Sequence, residues 1–361
     1  MKILIDINHP AHVHYFKNLI KLMIGEGHSF LIISRNKECE HELLENQKIP
    51  FISRGEGAQL LISKILYYFK AAKIIYKAGR RFNPDYLVSC STPYPAFVAY
   101  LLNKPHISIT DTESAYFHHL LSNIFSDYIL TPICFKKELG RKHLKFTSYM
   151  ELAYLSPNYF KPDKSIIKLL GMEYNEKFVV IRHVSRNAVH DQGHNGITLE
   201  NKVKSVNEFS KYARVFISSE MELPDELKEY EIDIPPERMH DVLAFATLFY
   251  GESATMASEC ACLGTPAIYL DNDGRGYTDE EEDIYGLVFN YSESEKDQLL
   301  SIKKGIELLK NENIKKNWQK KTETMISDKI DVTAFFVWFF ENYPSSGKIL
   351  KENPDYQLKF N

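Results

Sequence analysis

Short apolar runs alternate along this chain with longer segments in which apolar residues recur every three or four positions, the pattern of strands and amphipathic helices in βα repeats. In the first half the runs at residues 2–7, 29–34, 86–90, 106–109 and 128–130 predict strands. The periodic segments at 12–25, 37–46, 59–80 and 94–102 predict helices. Both periods break at Leu155-Ser156-Pro157-Asn158-Tyr159-Phe160-Lys161-Pro162, where two prolines interrupt the chain, so a linker is expected there. The pattern restarts with strands at 177–182, 214–218, 247–250 and 267–270 and helices at 200–212, 239–245, 293–310 and 331–340. This predicts an α/β protein with a Rossmann-like domain at 1–156, a second at 157–343 and a loose tail at 344–361. Because ligands of open α/β sheets bind beyond the carboxyl ends of the strands, the two halves are expected to face each other across a central cleft.

Composition agrees with a globular chain: 361 residues, 44% hydrophobic and 25% charged, enough for two cores. The net charge of −4 gives no footprint for nucleic acid. The longest apolar run, residues 334–340, is far short of the roughly 18–20 residues that span a bilayer and fits a buried helix. Met1 leads directly into the first strand, so a cytoplasmic protein is expected. Five scattered cysteines argue against a disulfide framework.

The candidate chemistry begins at Tyr250-Gly251-Glu252-Ser253-Ala254-Thr255-Met256-Ala257-Ser258-Glu259, which reads as strand, small-residue turn and helix, followed by Gly264, Pro266 and a further strand. A helix N-terminus at the carboxyl edge of a parallel sheet presents free N–H groups and the positive end of a dipole to an anion. Ser253 and Thr255 add hydroxyls, and Glu259 lies one to two turns further in, within reach of a sugar attached to a bound phosphate. An ordinary capped βα turn would have the same outline.

The whole block resembles the donor-nucleotide site of the GT-B glycosyltransferase superfamily, which includes the non-hydrolysing UDP-N-acetylglucosamine 2-epimerases. The resemblance implies two Rossmann-like domains, a diphosphate held at Gly251, Ser253, Ala254, Thr255 and Met256, and ribose hydroxyls held by Glu259. Glu252 stands where that turn is usually glycine-rich. The opening Asp6-Ile7-Asn8-His9-Pro10-Ala11-His12-Val13-His14, Asp111-Thr112-Glu113, and Gly274-Arg275-Gly276-Tyr277-Thr278-Asp279-Glu280 resemble, more narrowly, a prokaryotic family of predicted glycosyltransferases.

Histidine near neutral pH can take a proton from a sugar hydroxyl. His12 best matches the histidine that ends the first loop of several GT-B transferases, and His9 is the next candidate. Asp111 and Glu113 follow the strand at 106–109; two carboxylates can drive each other's pKa apart, or simply cap the next helix. The 2-epimerases place an acid after the preceding strand as well, whereas here that strand ends in Ser89-Cys90-Ser91-Thr92-Pro93.

Arg182, ending the first strand of the second half, is placed to neutralise a leaving diphosphate. Thr278, Asp279 and Glu280 match positions that contact the donor sugar, with the later acids expected in solvent. His190-Asp191-Gln192-Gly193-His194 has the outline of a metal cluster, but its glycine argues for a loop, and neither a metal nor another cofactor is expected.

Residues 57–84 carry six Lys or Arg and no acid; Lys70, Lys73, Lys77 and Arg80 or Arg81 share a helical face, with Leu61, Ile65, Tyr68, Ala72 and Ile75 away from it. Such a face at residues 59–81 could rest on anionic lipid or simply be solvated. The expectation is a metal-independent transfer of sugar from a UDP-sugar substrate to a saccharide or polyprenyl-linked acceptor in cell-envelope or capsular polysaccharide assembly. A UDP-sugar 2-epimerase and an inactive nucleotide-sugar binding protein are the alternatives.

Overall fold

A computed structural model describes residues 1–58, 61–90, 92–185 and 195–361. The expected start of the 59–80 helix, Ser91, and the 190–194 cluster with Arg186 lie outside the described residues. The chain forms two compact units, Met1–Tyr154 with Lys329–Asn361, and Leu155–Asp328.

The first unit runs β1 (Lys2–Ile7), α1 (Pro10–Gly25), β2 (Ser29–Ser34), α2 (Glu40–Asn46), β3 (Phe51–Ser53), α3 (Leu61–Phe82), β4 (Tyr86–Cys90), α4 (Tyr94–Leu102), β5 (His106–Ile109), α5 (Tyr116–Phe125), β6 (Tyr128–Pro132), β7 (His143–Phe146) and α6 (Leu152–Leu155). All seven strands are parallel, in the order β3-β2-β1-β4-β5-β6-β7. The order reverses direction at the β1/β4 pair. Right-handed crossovers therefore put α1 and α2 on one face of the sheet and α3, α4 and α5, packed in series, on the other. β1 is buried from Ile3 onward and β4 throughout, which explains their continuous apolar runs.

The second unit runs α7 (Ser165–Leu169), β8 (Phe178–His183), α8 (Leu199–Phe209), β9 (Arg214–Ser219), α9 (Met239–Phe245), β10 (Leu248–Gly251), α10 (Ala254–Leu263), β11 (Ala267–Leu270), α11 (Gly276–Asp283), β12 (Val288–Tyr291), α12 (Glu295–Leu309) and α13 (Ile314–Ser327). Its sheet, also parallel, has the order β12-β11-β10-β8-β9 and reverses between β8 and β10.

The division departs from the expected domains at the carboxyl end. α14 (Val332–Glu341) and α15 (Ser345–Glu352) belong to the first unit. α14 buries Phe335, Phe336, Phe339 and Phe340, with Phe336 5.3 Å from Phe146, and Phe340 accepts a hydrogen bond on its carbonyl from the Tyr86 hydroxyl. The expected loose tail is ordered for the same reason: Trp338 packs 4.9 Å from Tyr356, and Gln357 receives the Thr147 N–H at 2.7 Å. Within α3, Ala72 and Ile75 are buried as expected, but Ile65 is exposed.

Candidate functional site

In the first unit the candidate residues gather at the sheet's switch point. Pro10 occupies the first turn of α1 and His9 caps it, its Nδ1 accepting the Ala11 N–H at 3.2 Å. One turn on, His12 is buried and stacks on Tyr15, ring centroids 5.7 Å apart. His14, on another face of the helix, stacks on Tyr154 in the core.

His12, Tyr15, Cys90, Ile109, Thr110, Asp111 and Met150 line a small pocket. Tyr15 donates its hydroxyl to Asp111 Oδ2 at 3.0 Å and Thr112 donates to Oδ1 at 3.1 Å, which fixes the carboxylate. Burial, then the positive potential of His9, Lys37 and Arg54, holds the His12 pKa well below the ordinary histidine value, so the ring is neutral at pH 7. Its Nδ1 receives the Asn8 N–H at 3.4 Å, a contact that favours the tautomer with its proton on Nε2.

Glu113 goes elsewhere. Its Oε1 accepts the Lys136 N–H at 3.3 Å and its carbonyl accepts from Lys137 at 2.8 Å. α5 starts behind Ala115 with no side-chain cap, so neither acid is a helix cap.

At the same switch point, a network that sequence reasoning missed joins the segments after β1, β3 and β4. Arg54, fully buried after β3, donates from Nε to Asp6 Oδ1 at 3.0 Å and from Nη2 to Asn8 Oδ1 at 2.8 Å, and also bonds the Tyr67 hydroxyl. Thr92, following β4, donates to Asp6 Oδ2 at 2.9 Å and so ties the two sides of the switch point. Burial raises the Asp6 pKa while the Arg54 charge and the Thr92 hydroxyl oppose the rise. The spacing of Asp6 and Arg54 carries no local signal, but a lone arginine directly after an apolar strand was the available clue.

In the second unit α10 begins at the other switch point. Ser253 caps it, Oγ accepting the Met256 N–H at 3.3 Å, and Ala254 and Thr255 form the first turn. Gly251 is required by close approach: a Cβ there would lie 2.3 Å from the Arg182 carbonyl oxygen. Glu252 is turned inward, accepting N–H groups from Val184 at 3.2 Å and Ile197 at 2.8 Å. Its carboxylate therefore shapes the loops beside the helix start.

Arg182 reaches sideways to β9, donating from Nη1 to Ser218 Oγ and from Nη2 to Glu220 Oε1, both at 2.7 Å. Glu259 is buried and joined to His240 Nε2 at 2.9 Å, a partner from α9 that no sequence signal marked. Thr278 is fully buried, and its hydroxyl donates to the Arg275 carbonyl at 3.1 Å. Asp279 and Glu280 are half-buried in the first turns of α11. Of the later acids expected in solvent, Glu281 is instead fully buried against Ser258 at 2.5 Å, and Glu282 receives Asn290 Nδ2 at 2.7 Å. α11 packs on α10 and β12, which takes those side chains out of water.

Residues 1–274 match the model of a family described as "Protein of unknown function (DUF354)". The chain belongs to the DUF354 family. The uncharacterized protein MJ0665 of Methanocaldococcus jannaschii is 25% identical over 278 residues, 73% of this chain and 80% of that one. Among solved structures, UDP-GlcNAc 2-epimerase from Neisseria meningitidis bound to UDP-GlcNAc superposes with a TM-score of 0.66 at 13% identity, covering 91% of this chain and 100% of that one. The M. jannaschii UDP-GlcNAc 2-epimerase gives 0.60 at 15% identity, over 86% and 94%. The spinosyn rhamnosyltransferase SpnG complexed with thymidine diphosphate gives 0.63 at 12%, over 95% and 100%. At these identities the likeness establishes the fold, that of the GT-B glycosyltransferases and UDP-GlcNAc 2-epimerases.

Proposed function

We propose that this DUF354 protein is a glycosyltransferase that moves a sugar from a nucleoside diphosphate donor, with UDP the first to test, to a saccharide or polyprenyl-linked acceptor of cell-envelope or capsular polysaccharide assembly. The observation that carries this reading is the pocket of the first unit, whose lining contains one carboxylate, Asp111, beside a neutral histidine. Removing and replacing a proton at a sugar carbon calls for two acid–base groups, whereas activating one acceptor hydroxyl calls for one base. Glu113 is committed to residues 136 and 137, and Thr92 to Asp6.

In this reading Asp111 takes the acceptor proton, and His12, carrying its proton on Nε2, donates a hydrogen bond to the acceptor. The sequence alone pointed to His12 as the base, with His9 next; this reading gives that role to Asp111 instead. The donor diphosphate sits at the N-terminus of α10 over Gly251, Ala254 and Thr255, where the helix start stabilises the leaving group without a metal ion. Glu259, oriented by His240, receives the ribose, and Asp279 and Glu280 receive sugar hydroxyls.

The 2-epimerase reading is favoured by one finding, the likeness to structures of UDP-GlcNAc 2-epimerases. Incubation with UDP-sugars alone separates the readings. Interconversion of sugars without acceptor would establish the epimerase and sink the transferase; slow hydrolysis of the donor in the presence of EDTA supports transfer. Thermal stabilisation by UDP with neither activity would leave only a binding protein.

A further inference from the structure

The outer surface of α3, α4 and α5 is built the wrong way round for a helix layer facing water. On α5 the buried side is polar, with His118, His119 and Ser122, and the exposed side is apolar: Phe117 is 64% exposed, Leu120 57% and Ile124 56%. These three, with Tyr116, fall within one stripe at helical spacing. Leu66 and Phe69 continue the surface on α3, at 66% and 62% exposure. A chain of rings joins the helices: Tyr68 to Phe97 at 6.3 Å, Phe97 to Phe125 at 5.7 Å, and Phe125 to Tyr100 at 5.6 Å. Half-buried rings thus bridge the three helices, and exposed apolar side chains stand on each of them, with Tyr100 and Leu101 exposed on α4.

The helices that build this surface carry charge of one sign. α3, α4 and α5 contain no Asp or Glu. Beyond Phe69 the outer stripe of α3 becomes basic with exposed Lys70, Lys73, Lys77, Arg80 and Arg81. On the far side Lys137 lies 3.6 Å from the centre of the Tyr116 ring, and Lys142 donates to the carbonyls of Asn123 and Ile124 at the end of α5.

We infer that this face docks on a bilayer containing anionic lipid, with Phe69, Phe117, Leu120 and Ile124 entering the headgroup boundary and the lysines and arginines meeting lipid phosphates. The charge pattern selects this occupant. A second copy packed on the same patch by two-fold symmetry would bring two basic rims together, whereas an anionic surface neutralises the rim and accepts the apolar centre. Asp111 lies only five residues before Tyr116, so the pocket and the docking face share one loop. The inference deepens the transfer reading, on which its choice of a lipid-linked acceptor rests; the sequence pointed to α3 alone, and the structure adds α4 and α5.

The test is flotation of the purified protein with vesicles of phosphatidylcholine, alone or mixed equally with phosphatidylglycerol, with sugars absent. The wild type should float with the mixed vesicles and remain behind with phosphatidylcholine. Phe117→Ser with Leu120→Ser should abolish flotation, and Lys73→Gln with Lys77→Gln should lower partition about fivefold for each charge removed. Circular dichroism melts check that these surface variants fold. Absence of wild-type flotation, flotation unchanged in both double variants, or a dimer that dissociates in Phe117→Ser with Leu120→Ser while vesicles are ignored would each overturn the inference. The UDP-induced thermal shift, measured on the same proteins, reports the donor site separately: its loss beside intact flotation counts against the transfer reading alone.

Discussion

Arg54 and Asp6, both without exposed surface, form an ion pair 3.0 Å from Nε to Oδ1 beside the short β1–α1 loop, which ends at His9, the cap of the helix that carries His12. A buried pair of this kind gains little over an apolar substitute, but removing one partner strands the other charge. Arg54→Met is therefore expected to cost about 3–5 kcal/mol in urea unfolding. Combining it with Asp6→Asn should recover much of that loss. A single variant within about 1 kcal/mol of the wild type would show that the pair is not holding the loop.

Glu40 gives the same region a pH dependence. Burial raises its pKa to about 7 against the hydrogen bonds it receives from Ser34 Oγ and the Arg35 N–H. Between about 4.5 and 7 the folded state holds a proton that the unfolded state has released, so stability from this group falls as pH rises through that window. Glu40→Gln should match the wild type near the lower limit and exceed it by roughly 1–3 kcal/mol at pH 8. Parallel stability curves for the two proteins across the window would refute this.

For the donor site, UDP should raise the melting temperature, and Glu259→Gln should remove most of that rise, because a hydrogen bond to a charged acceptor contributes about 1.5–3 kcal/mol. His240→Asn, which leaves the carboxylate but not its orientation, should give an intermediate shift. The comparison is between shifts with and without UDP, so any loss of intrinsic stability cancels. A full-sized shift in Glu259→Gln would take that residue out of the site.

Arg182 must exchange a partner if it is to meet a diphosphate, since Glu220 and Ser218 hold its guanidinium. Glu220→Gln weakens that hold and should tighten UDP binding, while Arg182→Lys should reduce turnover more than donor affinity because the fork is lost and the charge kept. Equal loss in both constants for Arg182→Lys would confine it to ground-state binding.

Legibility in the sequence followed burial. β1, β4 and β8 are buried through nearly their whole length, and their apolar runs announced them. β3 and β12 are short edge strands with half-exposed or exposed residues, and no period of two survives in them. A helix after Asp111 and Glu113 was anticipated only as something these acids could cap; the extent of α5 was not legible because its polar side is the buried one, the inverse of the pattern by which helices are read. The candidate residues that are near neighbours in sequence, His9 with His12 and Ser253 with Glu259, were legible from local helix chemistry. The partners that fix them were not. Tyr15 meets Asp111 across 96 positions and His240 meets Glu259 across 19, pairings made by the sheets and not by any spacing.

The division of labour between Asp111 and His12 is the prediction that most directly decides the reaction. With Asp111 as base, Asp111→Asn keeps the side chain's shape and one of the two hydrogen bonds received from Tyr15 and Thr112 but removes the proton acceptor, and transfer should fall by about 10² to 10⁴. His12→Gln keeps a donor at a similar place and should cost much less, while UDP-induced stabilisation persists in both because the proposed donor residues lie in the other unit. Tyr15→Phe removes one of the two hydrogen bonds that fix the Asp111 carboxylate and should lower transfer while leaving UDP-induced stabilisation unchanged. Transfer surviving in Asp111→Asn but lost in His12→Gln would return the base to His12. Sugar interconversion lost in both Asp111→Asn and Glu113→Gln would replace transfer with epimerisation.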